Sequence, residues 1–242
     1  MKKALWVTGL MAITFYTQAQ TDTTTQKLDE FLIQENRIQL PFSKQTRNIS
    51  VVDRQQIETA PARSLQEVLS FVPGVDVRQR GIGGVQADIG IRGGSFEQTL
   101  MLLNGIKLSD PQTGHHMMNI PVPLVNIDRV EVLKGPASRI FGQNAYTGAV
   151  NVITRLRDSR SLRIQGHVGD FGMKGINFAG SLPVGNYKQN LAISYDDSKG
   201  HQYNSDFRVS TIFYEGGIDL SAHHSIRGMA AYTDRTLSLI HI

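Results

Sequence analysis

The stretch that decides the fold is RVEVLKGPASRIFGQNAYTGAVNVIT, residues 129–154. Valine alternates with other residues at both of its ends, at Val130, Val132, Val150 and Val152. That alternation predicts a β-strand at each end of the stretch. Between the strands, Pro136 and Gly142 bracket one short predicted helix. The stretch contains neither a nucleophile paired with a base nor a cluster of metal ligands, so it indicates a packed module and not a catalytic site.

The composition excludes several classes of function. The 242 residues include no cysteine, which excludes disulfide scaffolds, thiol catalysis and cysteine metal sites. A formal net charge of +4 is too small to favour a nucleic-acid partner. No cofactor is expected, because the chain has no complete dinucleotide or phosphate-binding motif and no zinc-binding helix. The loop cluster at residues 115–118 (HHMM) is not expected to bind one metal, since adjacent residues of an extended loop point in opposite directions.

The first residues, MKKALWVTGLMAITFYTQAQ, have the pattern of a secretory signal peptide. Two lysines precede an apolar run and small residues follow it, which predicts a signal peptide over residues 1–19 with cleavage after Ala19. A membrane anchor is the alternative, but the run is too short to span a bilayer. No later segment reaches the length of a transmembrane helix, so any membrane-spanning part is expected to consist of β-strands.

An α+β region is predicted after a flexible polar leader over residues 20–41. Asp53 and Gln56 form a capping box that opens a first helix, and Ser64 and Glu67 form a second one. Four apolar residues of the second helix share one face: Leu65, Val68, Leu69 and Val72.

A β-hairpin is the strongest local signal in the chain. The segment TLMLLNGIKL, residues 99–108, places two apolar runs around Asn104-Gly105. Asn-Gly is the preferred dipeptide of a type I′ turn, because both of its central residues tolerate positive φ.

The residue pattern of the chain changes from about Leu162 onwards. Five segments follow one another: LRIQGHVG, GINFAGSL, NLAISYDD, STIFYEGGIDL and SIRGMAAYTD. Each alternates apolar residues with small or polar ones, and the joints between them differ in length. This pattern is typical of the wall of a transmembrane β-barrel. A soluble β-sandwich gives similar alternation, but the export signal and the unequal joints favour the barrel.

Several motifs, in order, resemble the plug domain of TonB-dependent outer-membrane receptors. They are LSFVPGVDVRQ, IGIRGGSFEQTLMLLNGIKL and PLVNIDRVEVLKGPASRIFGQNAYTGAVNVIT. The resemblance covers residues 48–155 and implies an α+β plug domain over residues 42–157. Over residues 158–242 it implies antiparallel transmembrane β-barrel strands that form an incomplete barrel. Within the family, the chain is most similar to the vitamin B12 and ferric-siderophore receptors.

The resemblance also implies three groups of functional residues. A segment like the TonB box would couple to a periplasmic TonB-type protein: Leu28, Asp29, Glu30, Phe31, Leu32 and Ile33. A second group would seat the plug in the lumen: Arg92, Gly93, Glu131, Lys134, Gly135 and Pro136. Two apical loops, residues 79–88 and 108–119, would contact the ligand through Gln79, Arg80, Gln86, Asp88, Ser109, Asp110, Gln112, His115 and His116.

Each group has an alternative interpretation. The leading segment could simply start the first strand, and the two loops could pack only against extracellular barrel loops. The resemblance implies that Arg92 and Glu131 are buried against opposite charges in the lumen, where such ion pairs stay breakable. The alternative is that both are solvated strand residues.

The function implied by the resemblance is active uptake of a scarce nutrient, such as cobalamin or a ferric siderophore, with the plug gating the barrel. The expected location is the outer membrane of a Gram-negative bacterium. The expected partners are the TonB-type protein, a small nutrient chelate and membrane lipid, and no enzymatic activity is expected. The alternative function is a plug-like periplasmic interaction or signalling module without transport.

The length of the chain predicts that it is a truncated gene fragment. Barrels of this type have about 22 strands of about ten residues each. Only 85 residues follow Arg157 (242 − 157), which suffice for about five strands. The final residues, LSLIHI, resemble a translated adapter from sequencing-library construction. The sequence of the native locus tests this expectation.

Overall fold

The computed structural model describes residues 48–81, 86–110, 114–221 and 224–238. It also describes the backbone of two short strands, β1 (Leu32–Ile33) and β2 (Leu40–Pro41), which pair antiparallel with each other. The predicted signal peptide, residues 28–31 of the predicted coupling segment and the C-terminal residues 239–242 lie outside the described residues. In the described ranges, no helix is both long and apolar enough to cross a bilayer.

Residues 48–154 form a mixed-sheet domain. The order of strands in its main sheet is β3 (Ile49–Val52), β8 (Ile127–Lys134), β9 (Gly148–Thr154), β6 (Thr99–Leu103) and β7 (Ile106–Leu108). The central strand, β9, runs antiparallel to β8 and parallel to β6. Every residue of β9 is buried, in keeping with its mainly apolar sequence. A separate hairpin consists of β4 (Val75–Gln79) and β5 (Ala87–Ile91).

The predicted helices are present, with one correction at a cap. Helix α1 (Arg54–Thr59) begins with the predicted capping box between Asp53 and Gln56. Helix α2 (Leu65–Ser70) begins at Ser64, whose hydroxyl accepts from the N–H of Glu67 at 3.3 Å. The second half of that capping box was wrong, because the Glu67 carboxylate accepts from the N–H of Arg63 at 2.7 Å instead.

The predicted apolar face is confirmed, because its four residues are all buried in the main core of the domain, although Val72 lies two residues beyond the end of α2. The predicted turn is also confirmed, since Asn104 and Gly105 have φ angles of 51° and 80°. Helix α3 (Ser138–Phe141) ends at Gly142, whose φ is 82°. Pro136 precedes the N-cap residue Ala137, so it lies just before the helix and not in its first turn.

Five antiparallel strands follow and form a meander sheet. They are β10 (Ser161–Val168), β11 (Lys174–Ser181), β12 (Tyr187–Ser198), β13 (Phe207–Ser221) and β14 (His224–Leu237), and each strand pairs with the next. The five predicted strand segments are therefore all confirmed as strands of one sheet.

The meander sheet has two unlike faces. On the outer face, one row of directly paired residues crosses all five strands: Ile164, Phe178, Ile193, Ile212 and Tyr232. Ile164 and Tyr232, at the ends of this row, are 61% and 66% exposed. On the inner face, Ala192 and Phe213 join the core of the mixed-sheet domain. The sheet therefore exposes apolar side chains on the face directed away from that domain.

Candidate functional site

The two predicted ligand loops meet at Asp88 and His115. Asp88 lies on β5, and His115 lies in a single 3₁₀ turn formed by residues 114–116. The Nδ1 atom of His115 lies 2.8 Å from Oδ1 of Asp88. The expectation of an extended loop at His115 was wrong, because this turn compacts the chain there. The loops are nevertheless adjacent, as a shared ligand surface requires.

Phe96 strengthens this junction, although the sequence analysis did not single it out. Its ring centroid lies 4.3 Å from that of His115. A Cβ atom at Gly114 would lie 2.9 Å from the Phe96 ring, so glycine is needed there for the two rings to approach. The available sequence signal was an aromatic residue inside the polar segment SFEQ, between two predicted strands.

The remaining predicted ligand residues surround this junction at different distances. The Arg80 guanidinium lies 3.4 Å from Asp88, and the N–H of Arg80 donates to the carbonyl of Gln86 at 2.8 Å. His116 contacts the amide of Asn119 at 3.3 Å. A separate hollow of about 570 Å³ is lined by Glu97, Gln98, Ser109, Asp110, Gly114, Met117, Asn144 and Tyr146. Gln79 is exposed at the end of β4, and Gln112 lies outside the described residues.

The chemistry of this surface suits recognition of a polar ligand. Asp88 and Arg80 offer an anionic acceptor and a cationic donor at the β4–β5 hairpin, and His115 adds an imidazole from the adjacent 3₁₀ turn. Across the described ranges, no group of three or more histidine and acidic side chains is arranged to hold a metal ion.

Glu131 is a buried charge within the main sheet. Its side chain is 3% exposed, and its Oε1 accepts a hydrogen bond from Nε of Arg129 at 2.9 Å. Asn151 on the neighbouring strand β9 donates to the other carboxylate oxygen at 3.4 Å. Arg129 and Glu131 are two residues apart on β8 and therefore project from the same face. Glu131 is buried, as expected, but the guanidinium that binds it lies on its own strand, so its role in seating the plug stays a prediction.

Arg92 has an exposed side chain, and its expected pairing with a charge of the lumen stays a prediction. It directly follows the last residue of β5 and has a φ of 52°, so with Gly93 (φ 80°) it forms a turn that directs the side chain outward. Lys134 is its neighbour. Burial, and then the nearby charge of Arg92, lower the pKa of Lys134 below the ordinary value for lysine. A Cβ atom at Gly135 would lie 3.9 Å from Arg92, so the predicted seating residues Lys134 and Gly135 lie beside this turn.

Residues 41–149 match the family described as the TonB-dependent Receptor Plug Domain. The mixed-sheet domain matches a TonB-dependent receptor plug over nearly its whole length. The chain is also 35% identical over 156 residues to the vitamin B12 transporter BtuB of Vibrio vulnificus, a match that covers 64% of this chain and 25% of that protein. It is 28% identical over 178 residues to BtuB of Vibrio cholerae, covering 73% of this chain and 29% of that protein. The chain thus spans less than a third of the length of these curated relatives.

A solved structure shows the same fold across the plug and the meander sheet. The pyoverdine outer membrane receptor FpvA from Pseudomonas aeruginosa PAO1, bound to pyoverdine, superposes with a TM-score of 0.72. The match covers 92% of this chain and 33% of that one at 19% sequence identity. It confirms the predicted fold class, a plug followed by antiparallel barrel strands.

The plug contacts the meander sheet through polar pairs that the sequence analysis did not predict. Near the start of β8, Asn126 accepts a hydrogen bond from Asn190 of β12 at 2.5 Å. At the end of β9, Thr154 donates to Glu215 of β13 at 2.6 Å. The alternation in β12 and β13 predicted polar residues on one face. The partners are 64 and 61 residues away in sequence, which no local pattern reveals.

Proposed function

We propose that this chain acts in a TonB-dependent receptor of the outer membrane that takes up a scarce nutrient of the cobalamin or ferric-siderophore type. The observation that carries the proposal is a plug held by buried polar pairs against a sheet whose other face exposes an apolar row. The names of the relatives, a vitamin B12 transporter and a pyoverdine receptor, support the two nutrient classes.

The apolar row of the meander sheet favours a membrane over water. Five large side chains in direct register, from Ile164 to Tyr232, form one contiguous outward band. In water such a band would promote aggregation, whereas in a bilayer it matches the outward face of a barrel strand. The alternative function, a periplasmic plug-like module without transport, would leave this apolar band exposed to water and is therefore less favoured.

The surface at Asp88 and His115 is the proposed contact for the nutrient. Both residues lie on or beside the β4–β5 hairpin, which joins the core through buried Ile89 and Ile91. Binding groups carried on a rigid scaffold in this way lose little entropy when the ligand docks.

Residues 28–33 are the proposed coupling segment for a periplasmic TonB-type protein. The part within the described residues, β1, pairs with β2 over only two residues, and Pro41 in β2 has no N–H to donate. So short a ladder is weak, and an edge strand from a partner protein can replace it.

The experiment compares uptake with binding in the protein expressed from its own gene. Leu32→Pro removes a backbone N–H from the coupling segment, so we expect uptake of labelled cobalamin or ferric siderophore to be lost while equilibrium binding persists. Thr24→Pro, in the polar leader, is the matched control and should transport normally. Normal uptake by Leu32→Pro would remove residues 28–33 as the coupling segment. If the unmodified protein binds neither cobalamin nor a ferric siderophore, the proposed function is overturned.

A further inference from the structure

The hairpin turn between β6 and β7 is fastened to the end of β9 by four hydrogen bonds. The N–H of Asn104 donates to the carbonyl of Val152 at 2.8 Å, and the N–H of Gly105 donates to Oδ1 of Asn151 at 2.9 Å. The Asn104 amide also donates to Oγ1 of Thr154 at 2.7 Å and accepts from the Thr154 N–H at 2.9 Å. Pairing between β6 and β7 alone requires none of these bonds.

The same threonine connects this turn to the meander sheet. Its hydroxyl accepts from Asn104 and donates its own proton to Oε2 of Glu215 at 2.6 Å. Thr154 is 6% exposed and Glu215 is 4% exposed, so the contact between these two side chains is buried. A buried carboxylate requires donors to replace water, and Thr154 supplies one of them from the plug.

The two sheets meet in register at this place. Asn190 and Glu215 are direct partners on β12 and β13, while Ile127 and Thr154 are direct partners on β8 and β9. Asn190 binds Asn126, the residue before Ile127, and Glu215 binds Thr154. A directly paired couple of residues in the meander sheet therefore binds two residues that lie side by side at the edge of the plug sheet.

We propose that Glu215 is a positioning residue that, through Thr154, holds the Asn104–Gly105 turn against the meander sheet and keeps the plug closed there. This inference rests on the proposed function in nutrient uptake. Loss of the Thr154 hydroxyl breaks the contact with Glu215 and one bond to the turn. It leaves the backbone ladder between β6 and β9, and the apolar core, intact. The turn can thus separate from the sheet while the plug stays folded.

Thr154→Val tests this because it keeps the shape of the side chain and removes the hydroxyl. The readout is amide hydrogen exchange in outer-membrane vesicles that contain the protein expressed from its own gene. The amides of residues 104–108 should exchange about tenfold faster, because the net free energy of one hydrogen bond corresponds to roughly a tenfold change in an equilibrium constant. Exchange in β8 should not change. Entry of a hydrophilic antibiotic should increase, and Thr154→Ser should restore both readouts.

Thr211→Val is the matched control, since Thr211 is also buried on the inner face of β13 but bonds to Thr233 within the meander sheet. It should change neither the exchange of the turn nor antibiotic entry. Should Thr154→Val fail to reach the membrane, Asn104→Gly decides the question. Glycine keeps the positive φ of the turn and removes both side-chain bonds to Thr154.

The inference is overturned if amides 104–108 exchange at the wild-type rate in Thr154→Val, or in Asn104→Gly where that variant has to be used. An equal loss of protection in β8 would also overturn it, because the residue would then serve general folding. Neither readout depends on nutrient uptake, so failure here is distinguishable from failure of the proposed function.

Discussion

Replacing Arg129 by methionine should destabilise the plug strongly, because it leaves the Glu131 carboxylate buried without its guanidinium partner. Arg129 is 12% exposed, Glu131 is 3% exposed, and their closest atoms are 2.9 Å apart. Breaking a buried pair by removing one partner costs about 3–5 kcal/mol. That energy corresponds to roughly a hundredfold to several-thousandfold increase in the exchange rate of globally protected amides.

The assay is hydrogen exchange of the β8 and β9 amides in the intact protein. The double variant Arg129→Met/Glu131→Met should recover most of the loss, because an apolar pair carries no uncompensated charge.

Arg78 and Asp76 on β4 supply the matched control for this assay. This pair has the same spacing in sequence and the same 2.9 Å distance, but the two side chains are 80% and 57% exposed. Arg78→Met should therefore cost only about 0–1 kcal/mol. If Arg129→Met costs no more than Arg78→Met, burial does not govern the strength of the Glu131 pair and the reasoning fails.

Two further predictions concern packing and ligand contact. Gly148→Ala should cost about 1–3 kcal/mol or more, because its Cβ would clash with the backbone carbonyl of Leu133 and lie 2.6 Å from Cδ1 of Ile91. Gly228→Ala, where a Cβ meets nothing within 4 Å, should be neutral in the same unfolding measurement. Asp88→Asn should weaken nutrient binding about tenfold in equilibrium titrations. Asp76→Asn, on the same hairpin, is the control and should bind normally. Equal affinities of the two variants would exclude Asp88 from the ligand surface.

Features with short-range causes were predictable from the sequence. The Asp53 capping box, the apolar face of α2 and the Asn104-Gly105 turn each depend on residues within two helical turns or one hairpin. The strands of the meander sheet were predictable for the same reason, because alternation is visible within each strand.

Features that depend on distant partners were not predictable. The parallel pairing of β6 with β9 and the Thr154–Glu215 contact join segments that no periodicity relates. Arg92 is exposed and has a left-handed backbone conformation directly after β5, and its expected pairing with a lumen charge stays a prediction. The roles of the coupling, seating and ligand residues stay predictions, since geometry alone places them without showing what they bind.

The position of β9 at the centre of the sheet has a consequence for how the plug assembles. β9 is the last strand of the plug along the chain, yet it lies between β8 and β6. Until residues 148–154 have been synthesised, the edges of β8 and β6 that pair with β9 have no hydrogen-bond partner. The buried side chains of β9 are also missing from the centre of the apolar core. The parallel contact from Thr99 to Gly148 also closes a long loop, which slows folding relative to local hairpins. We therefore expect a nascent plug to gain little protection while its earlier strands emerge, and to become ordered cooperatively once β9 is present.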